Sequence, residues 1–434
     1  MRNLIRQKIV DSLAAPIPQL THRDIRIPAI SGKAIAVIGM RRTGKSTFLW
    51  QLLKEKLSKK AKRESLLYFS FEDERLADMK SADLQIIVEE YYQLYPELRD
   101  TRKAVFFLDE IQVVQGWESF ARRILDSEKI ELFLSGSSAK LLSREVATTM
   151  RGRAMTALVH PFSFREYLRH LDREPEQEIS RFPKAKRSAL EKDLRQYLIQ
   201  GGFPESIGAA AKDRVDLLRG YIDTALLRDI IERYEVSHPV ALRWMVRHLL
   251  ANASGSFTIN KFYGDLTSQG IAVSKDTLHA YLGYLEDAFL IRTVSLATGS
   301  ERKRMVNPRK IYPIDSGFIP LFEMSGRSNI GHALETCVML ELERRGAEIR
   351  YVRNITGSEV DFLARYPDGR RELIQVCAEI DSVDVRNREI RGLIDGLAEQ
   401  KGAKAHLIVL QHQPPKDLPN SIRWHAASDW LLSP

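Results

Sequence analysis

At 434 residues, 44% hydrophobic and 28% charged, the chain is long enough for about three domains and is neither disordered nor fibrous in make-up. Its 66 Lys+Arg against 57 Asp+Glu give a net charge of +9, an excess that suits a polyanionic partner without demanding one. Two cysteines, Cys337 and Cys377, exclude a disulfide framework; no apolar signal region forms before Gln7, Lys8 and Asp11, and no run reaches the ~20 apolar residues of a membrane helix, so a cytoplasmic protein with no membrane partner is expected.

The first strong signal is AIAVIGMRRTGKSTFLWQLL. Ala34 to Ile38 reads as a short buried strand, followed by G-x-x-x-x-G-K-S at Gly39, Gly44, Lys45 and Ser46, then an amphipathic helix through Leu53. Strand, glycine loop and helix in that order are the context a phosphate loop requires. The expected nucleotide cradle is Gly39, Met40, Arg41, Arg42, Thr43, Gly44, Lys45, Ser46 and Thr47, with backbone N–H groups meeting the phosphates at a helix N-terminus. ATP and Mg²⁺ are the expected cofactors, Lys45 reaching the β/γ-phosphates and the Ser46 hydroxyl ligating the metal.

The run KAVFFLDEIQ supplies a second apolar strand, Ala104 to Leu108, ending in Asp109 and Glu110. A carboxylate there holds Mg²⁺, usually through water, and the next acid polarises an attacking water. The strand IELFLSGSS ends in Ser135, Ser137 and Ser138, where strand ends of a parallel sheet converge on one crevice. Ser137 is expected to sense the γ-phosphate; for Ser138 helix capping competes equally. Arg151 and Arg153, in TTMRGRAMTALVHPFSF, are candidates for an arginine finger acting on a neighbouring subunit's nucleotide, with Arg144 a third; a solvated basic turn is the plain alternative.

GMRRTGKSTFL, YFSFEDERL, FLDEIQVVQGWESFARRI, LSGSSAKLLS, RGR, HPFSFREYL and GGFPES together resemble the prokaryotic AAA-type ATPases that carry a C-terminal domain of unknown function. That resemblance implies the AAA+ arrangement, a parallel five-stranded sheet with a helical lid, and sensing roles for Ser137 and the arginine of RGR.

From Pro161 the pattern turns helical, through SFREYLRHL, RSALEKDLRQYLIQ and DRVDLLRGYIDTALLRDIIERY, interrupted at Gly201, Gly202 and Pro204, and is read as the lid. From about Ser237 to Ser316 come a helix, a short extended SFTI, two further helical stretches and the strand-like LIRTVSLA and RKIYPID, joined by the basic tip SERKRMVNP. Leu278, Tyr281, Leu282 and Leu285 form a core stripe that leaves Lys275, Asp276 and His279 outward. Helix, turn, helix and basic hairpin make a winged helix, and this too resembles the family. The second helix, carrying Lys275 and His279, would enter the DNA major groove while Arg302, Lys303 and Arg304 contact phosphates; protein docking is the alternative use.

The last unit, from near Gly331, reads as helix, three strands with a Pro367-Asp368-Gly369 turn, a helix and a further strand. This order resembles the PD-(D/E)XK nuclease-like fold. Glu335 matches its helix acid, Asp361 its hairpin acid, and Gln375-Val376-Cys377 the strand that should read E-x-K. A nuclease needs carboxylates for the metal and a lysine for developing charge, and that strand supplies neither. Glu379 is expected two residues on, on the same strand face, without a lysine beside it. The expected fold class is therefore α/β: an AAA+ P-loop NTPase core at 1–160, helical lid at 161–236, winged helix at 237–318 and nuclease-like domain at 319–434. The expected function is a DNA-binding ATPase that moves or remodels duplex or branched DNA as a homo-oligomer, a hexamer among the options. An ATP-operated switch for protein partners is the alternative, and an ATP-driven nuclease ranks third.

Overall fold

The computed structural model describes every residue except 101–102, 138–149, 151, 323–328, 356, 381, 411–413, 415–416 and 434. The chain divides into two compact units, Met1–His160 with Asp287–Phe289, and Pro161–Glu286 with Leu290–Pro434.

The first unit is a parallel sheet of β1 (Ala34–Gly39), β2 (Leu66–Ser70), β3 (Ala104–Asp109), β4 (Ile130–Ser137) and β5 (Ala154–Leu158), in the order β2-β3-β4-β1-β5. Every residue of β1 and β3 is buried, as strands covered on both faces must be, and this is why both read as unbroken apolar runs. The helices are α1 (Arg2–Ala14), α2 (Lys45–Ser58), α3 (Leu84–Leu94) and α4 (Trp117–Ser127). Phe48, Leu49, Leu52 and Leu53 recur at helical spacing and put one side of α2 against Ile35, Val37, Phe107 and Phe133. α1 packs on α3 and β2 and is tied there by Arg2 to Glu89 and Glu90.

The strand order has a consequence for chemistry. β4 lies between β1 and β3, pairing Gly39 with Ser137 on one side and Leu108 with Leu134 on the other. The strand that enters the phosphate loop and the strand that ends in Asp109 are thus bridged by the serines of β4.

The second unit begins with α5 (Phe164–His170), entered through a capping box in which Ser163 accepts from the Glu166 N–H and Glu166 accepts from that of Ser163. α6 (Lys184–Gln200) and α7 (Ala211–Thr224) follow, the latter running into a π-helical stretch, Ala225–Ile231. This segment, expected as a lid, packs within its own unit: α6 lies against the 3₁₀ turn Ser316–Leu321. The glycine break is fixed there by buried Asp315, which accepts the N–H groups of Gly202 and Gly317 and whose pKa burial pushes up to about 7.

Next come α8 (Pro239–Ala251), β6 (Ser256–Phe257), α9 (Ile259–Ser268), α10 (Lys275–Asp287), β7 (Ile291–Val294), α11 (Glu301–Val306) and β8 (Arg309–Pro313). The three strands pair antiparallel as β6-β8-β7. Leu278, Tyr281, Leu282 and Leu285 are buried as their spacing predicts. The tip between β7 and β8 is not an open loop but contains α11, whose first turn is capped by the Ser300 hydroxyl on the Lys303 N–H.

The chain ends in α12 (Ile330–Arg344), β9 (Glu348–Arg353), β10 (Glu359–Arg365), β11 (Arg371–Cys377), α13 (Val383–Glu399), β12 (Lys404–Val409), β13 (Ile422–Ala426) and α14 (Ala427–Leu432). Their mixed sheet has the order β13-β12-β11-β10-β9, antiparallel from β9 to β11 and parallel from β11 to β13. β11 ends at Cys377, so exposed Glu379 lies past the strand rather than on its face, which corrects the expected position.

Candidate nucleotide site

β1 stops at Gly39, where a Cβ would stand 2.2 Å from the Val159 carbonyl oxygen, so only glycine lets the chain turn there. Met40, Arg41 and Arg42 carry the loop over, Arg42 with φ +68°, and Gly44 with φ +93° starts α2. The buried Thr43 hydroxyl and the Lys45 ammonium both donate to the Met40 carbonyl, at 2.9 and 3.1 Å. Ser46 and Thr47 occupy the first turn of α2, beside the N–H groups that the helix leaves unpaired.

Arg23 braces this loop from behind. Its guanidinium, 4% exposed, donates to the Thr43 carbonyl at 2.9 Å and the His160 carbonyl at 2.6 Å. Gln51 of α2 holds the Arg23 backbone by both its N–H and its C=O. Nothing in the sequence reading singled out Arg23, because its partners are a helix side chain and two distant carbonyls.

Asp109 and Glu110 are both buried at the end of β3. Ser135 connects them: its hydroxyl donates to Asp109 Oδ1 and accepts from the Glu110 N–H at 3.1 Å. The Tyr68 hydroxyl donates to Asp109 Oδ2 at 2.5 Å, and burial together with the Asp109 charge keeps that phenol protonated, well above its ordinary pKa. Glu110 takes a left-handed backbone, φ +55°, and its carboxylate accepts from the Gln112 side-chain amide. Glu72 stands close enough that, with burial, the charges of Glu110 and Asp109 raise its pKa.

Ser137 pairs through its backbone with Gly39, which sets it beside the phosphate loop. Ser138, Arg144 and Arg151 lie outside the described residues. Arg153 lies at the other end of β1, where its carbonyl accepts from the Ala34 N–H and its side chain pairs with Asp126 of α4. Five residue steps of strand separate Ala34 from Gly39, roughly 17 Å at strand rise, so Arg153 does not share its own chain's phosphate loop.

The donor set fits a Mg²⁺-nucleotide. The glycine turn and helix start form a backbone cradle, Lys45 lies along its floor, and the carboxylate of Asp109 with the Ser46 hydroxyl are hard oxygen ligands of the type Mg²⁺ takes.

The other expected residues fall in the second unit. Lys275 and His279 are exposed on α10, Lys275 lying 5.1 Å above the Tyr263 ring. Arg302 and Lys303 are exposed on α11, while half-buried Arg304 is bound to Glu301 and the Thr298 carbonyl. Glu335, Asp361 and Gln375 do come together. The Gln375 amide accepts from the Asp361 N–H at 3.3 Å and donates to Glu389 at 2.6 Å. Cys377 donates to the Glu379 carbonyl, and burial pushes its thiol up to about 11, so it carries no thiolate at neutral pH. Lys310, which the sequence reading passed over, stands among the acids.

An AAA domain family matches residues 31–168, and a domain of unknown function (DUF8612) matches residues 191–327. The uncharacterized protein MJ1544 of Methanocaldococcus jannaschii is 31% identical over 416 residues, covering 94% of this chain and 89% of that protein. An uncharacterized protein of Haemophilus influenzae is 29% identical over 345 residues, 79% of this chain and 82% of its own. Among solved structures, the Walker-type ATPase paby2304 of Pyrococcus abyssi superposes with a TM-score of 0.43 at 17% identity, over 74% of this chain and 95% of that one. A superposition that loose adds nothing to what the strand order and phosphate loop already establish.

Proposed function

Because this chain belongs to the family of MJ1544 and carries an AAA domain over residues 31–168, we propose that it is a DNA-binding ATPase, coupling Mg²⁺-ATP hydrolysis to movement or remodelling of duplex or branched DNA. The observation that carries the ATPase part is the acid pair Asp109–Glu110, joined through Ser135 at the strand ends beside the phosphate loop.

Ser46 and, through water, Asp109 would hold Mg²⁺, which supplies positive charge to the β- and γ-phosphates. Lys45 turns from the Met40 carbonyl to the phosphates, a neutral acceptor giving way to a far stronger anionic one. Ser135 and Tyr68 orient Asp109, since both donate to its carboxylate. Glu110, on its fixed backbone, orients and polarises the attacking water, and Ser137 is assigned to the γ-phosphate.

In the second unit we read residues 237–318 as a winged helix and residues 319–434 as a nuclease-like domain without nuclease activity. The order helix, strand, helix, helix and two antiparallel strands supports the first reading. Gln375 in place of the strand acid supports the second, since an amide cannot replace a carboxylate's charge. Exposed Lys275, His279, Arg302 and Lys303, on a chain of net charge +9, support DNA contact. Measuring ATPase rate against linear, forked and junction DNA at fixed salt tests this, because phosphate-driven binding varies steeply with salt. Stimulation by one or more DNA forms is expected; a rate indifferent to all of them removes DNA from the proposal. One observation favours the protein-switch reading in that event: Met305 and Val306 of α11 are 75% and 71% exposed.

A further inference from the structure

The phosphate loop is held from outside by a residue that belongs to none of its motifs. Arg23 lies in the segment between α1 and β1 and is buried, 4% exposed. Burying a guanidinium is costly unless oriented acceptors meet it. Gln51, in the second turn of α2 and itself buried, fixes where Arg23 stands: it accepts from the Arg23 N–H at 2.7 Å and donates to the Arg23 carbonyl at 3.1 Å. One prong of the guanidinium then donates to the Thr43 carbonyl at 2.9 Å, the other to the His160 carbonyl at 2.6 Å. Thr43 lies in the loop and His160 just past β5, the strand beside β1, so one planar group spans both. A lysine, with its point charge, cannot hold two carbonyls in fixed directions.

Which carbonyl is held matters. The Thr43 C=O and the Gly44 N–H are the two ends of one peptide unit. A cationic donor on the oxygen draws electron density toward it and leaves the N–H a stronger donor at the other end. Gly44, at φ +93°, stands just ahead of the first turn of α2, where N–H groups are left for an anion. Among the described residues no hydrogen bond uses its N–H. The same contact keeps the Thr43 oxygen from turning into the loop, where its negative end would repel phosphates. We propose that Arg23 is a positioning residue for nucleotide binding: it fixes the direction of the Thr43–Gly44 peptide and polarises its N–H toward the phosphates, and so sets affinity for the nucleotide and not the rate of its hydrolysis. That N–H meets phosphate in the ground state and the transition state alike, and such uniform binding changes KM without changing kcat. This role rests on the reading of residues 39–47 as a nucleotide cradle and stands whether or not DNA is bound.

The test measures Mg²⁺-ATP affinity, kcat at saturating ATP and Tm for full-length wild type, Arg23→Lys and Arg23→Gln. Arg23→Gln loses the charge and should weaken ATP binding by about 10–100-fold, the range for a hydrogen bond to a charged group. Its kcat at saturation should fall by less than about threefold. Arg23→Lys keeps the charge without the fork and should recover part of the lost affinity. A purely structural contact would instead lower Tm and leave the folded protein's affinity unchanged, or lower kcat together with affinity. If Arg23→Gln does not fold, Gln51→Ala, which leaves the guanidinium but frees its backbone, should weaken binding with kcat held, and unchanged affinity there overturns the proposal. So does an Arg23→Gln protein that binds ATP like wild type, one whose kcat falls as far as its affinity, or an Arg23→Lys protein that recovers nothing. Wild-type protein that binds no ATP removes the nucleotide cradle itself, and the role of Arg23 with it.

Discussion

Glu110 sits at φ +55°, a backbone region that costs a non-glycine residue on the order of 1 kcal/mol. The chain accepts that cost where β3 turns sharply into the 3₁₀ segment Ile111–Val113, and the turn ties the Glu110 N–H to Ser135 and its carboxylate to the Gln112 amide. Two substitutions separate chemistry from positioning. Glu110→Gln removes the base and should leave ATP binding intact while lowering kcat by about 10²–10⁴-fold. Ser135→Ala keeps both acids but unties them, and should lower kcat less, by about tenfold, the effect of roughly one lost hydrogen bond to a charged group. Steady-state ATPase assays with nucleotide-binding titrations decide this, and equal losses from the two would mean that Ser135 takes part in the chemistry. The acids, the phosphate loop and its lysine were all legible, because each motif is contiguous in the chain. Ser135 as the link, Arg23 as the brace and Lys310 as the cation were not, because each acts only through partners that folding brings from elsewhere.

At the scale of elements, period and punctuation located the strands and helix around the two nucleotide motifs and most elements after Pro161, but α1, α3, α4 and β2 were not picked out. The tip helix α11 has six residues, too few for a helical period to show, although Ser300 three residues before Lys303 is a capping signal that could have been taken. Its helical form exposes Arg302 and Lys303 while Arg304 is tied to Glu301, so the proposed phosphate contacts narrow from three candidates to two. Arg302→Ala with Lys303→Ala should weaken DNA binding across sequences and lower the slope of log K against log salt by about 1.8. A salt titration that returns the wild-type slope moves α11 to protein docking. β13 was missed because its sequence, IRWHA, alternates weakly, yet its register sets His425 beside His406 of β12 at 2.9 Å. Burial, with neighbouring positive charge, lowers both imidazoles to about 4, and one must donate to the other's lone pair. Depressed pKa values give stability present above the unfolded value near 6.5 and lost as pH falls toward 4. By pH 5 the loss should reach about 1–2 kcal/mol per ring after allowance for partial exposure. Urea unfolding from pH 7.5 to 5 should show it, and His406→Gln with His425→Gln should flatten that part of the curve; an unchanged curve means the rings are not held neutral.

At the scale of the whole molecule, the remaining question is where the charge that stabilises the transition state comes from. Within one chain Lys45 is the basic group at the loop floor, while Arg153 sits roughly 17 Å along the sheet from Gly39, at the opposite end of β1. That placement excludes a role for Arg153 at its own phosphate loop and leaves it a role only at a neighbour's. Its pairing with Asp126 is no obstacle. Both side chains are substantially exposed, and such a pair is worth about 1 kcal/mol or less, whereas an arginine finger is worth about 10³-fold or more in rate. If Arg153 acts across a subunit boundary, Arg153→Ala and Glu110→Gln chains should each be nearly inactive alone. Mixed and allowed to exchange, they should regain activity at interfaces where a Glu110→Gln chain supplies the arginine to an Arg153→Ala chain with its intact acid. For equal amounts assorting at random about a quarter of the interfaces have that composition, so roughly a quarter of wild-type activity is the expected ceiling in a closed ring. The same mixture at a concentration where the protein sediments as a monomer should show none. Activity that stays at the level of the separate chains after exchange, or wild-type turnover by a monomer, would show that the catalytic arginine lies elsewhere or that none is used.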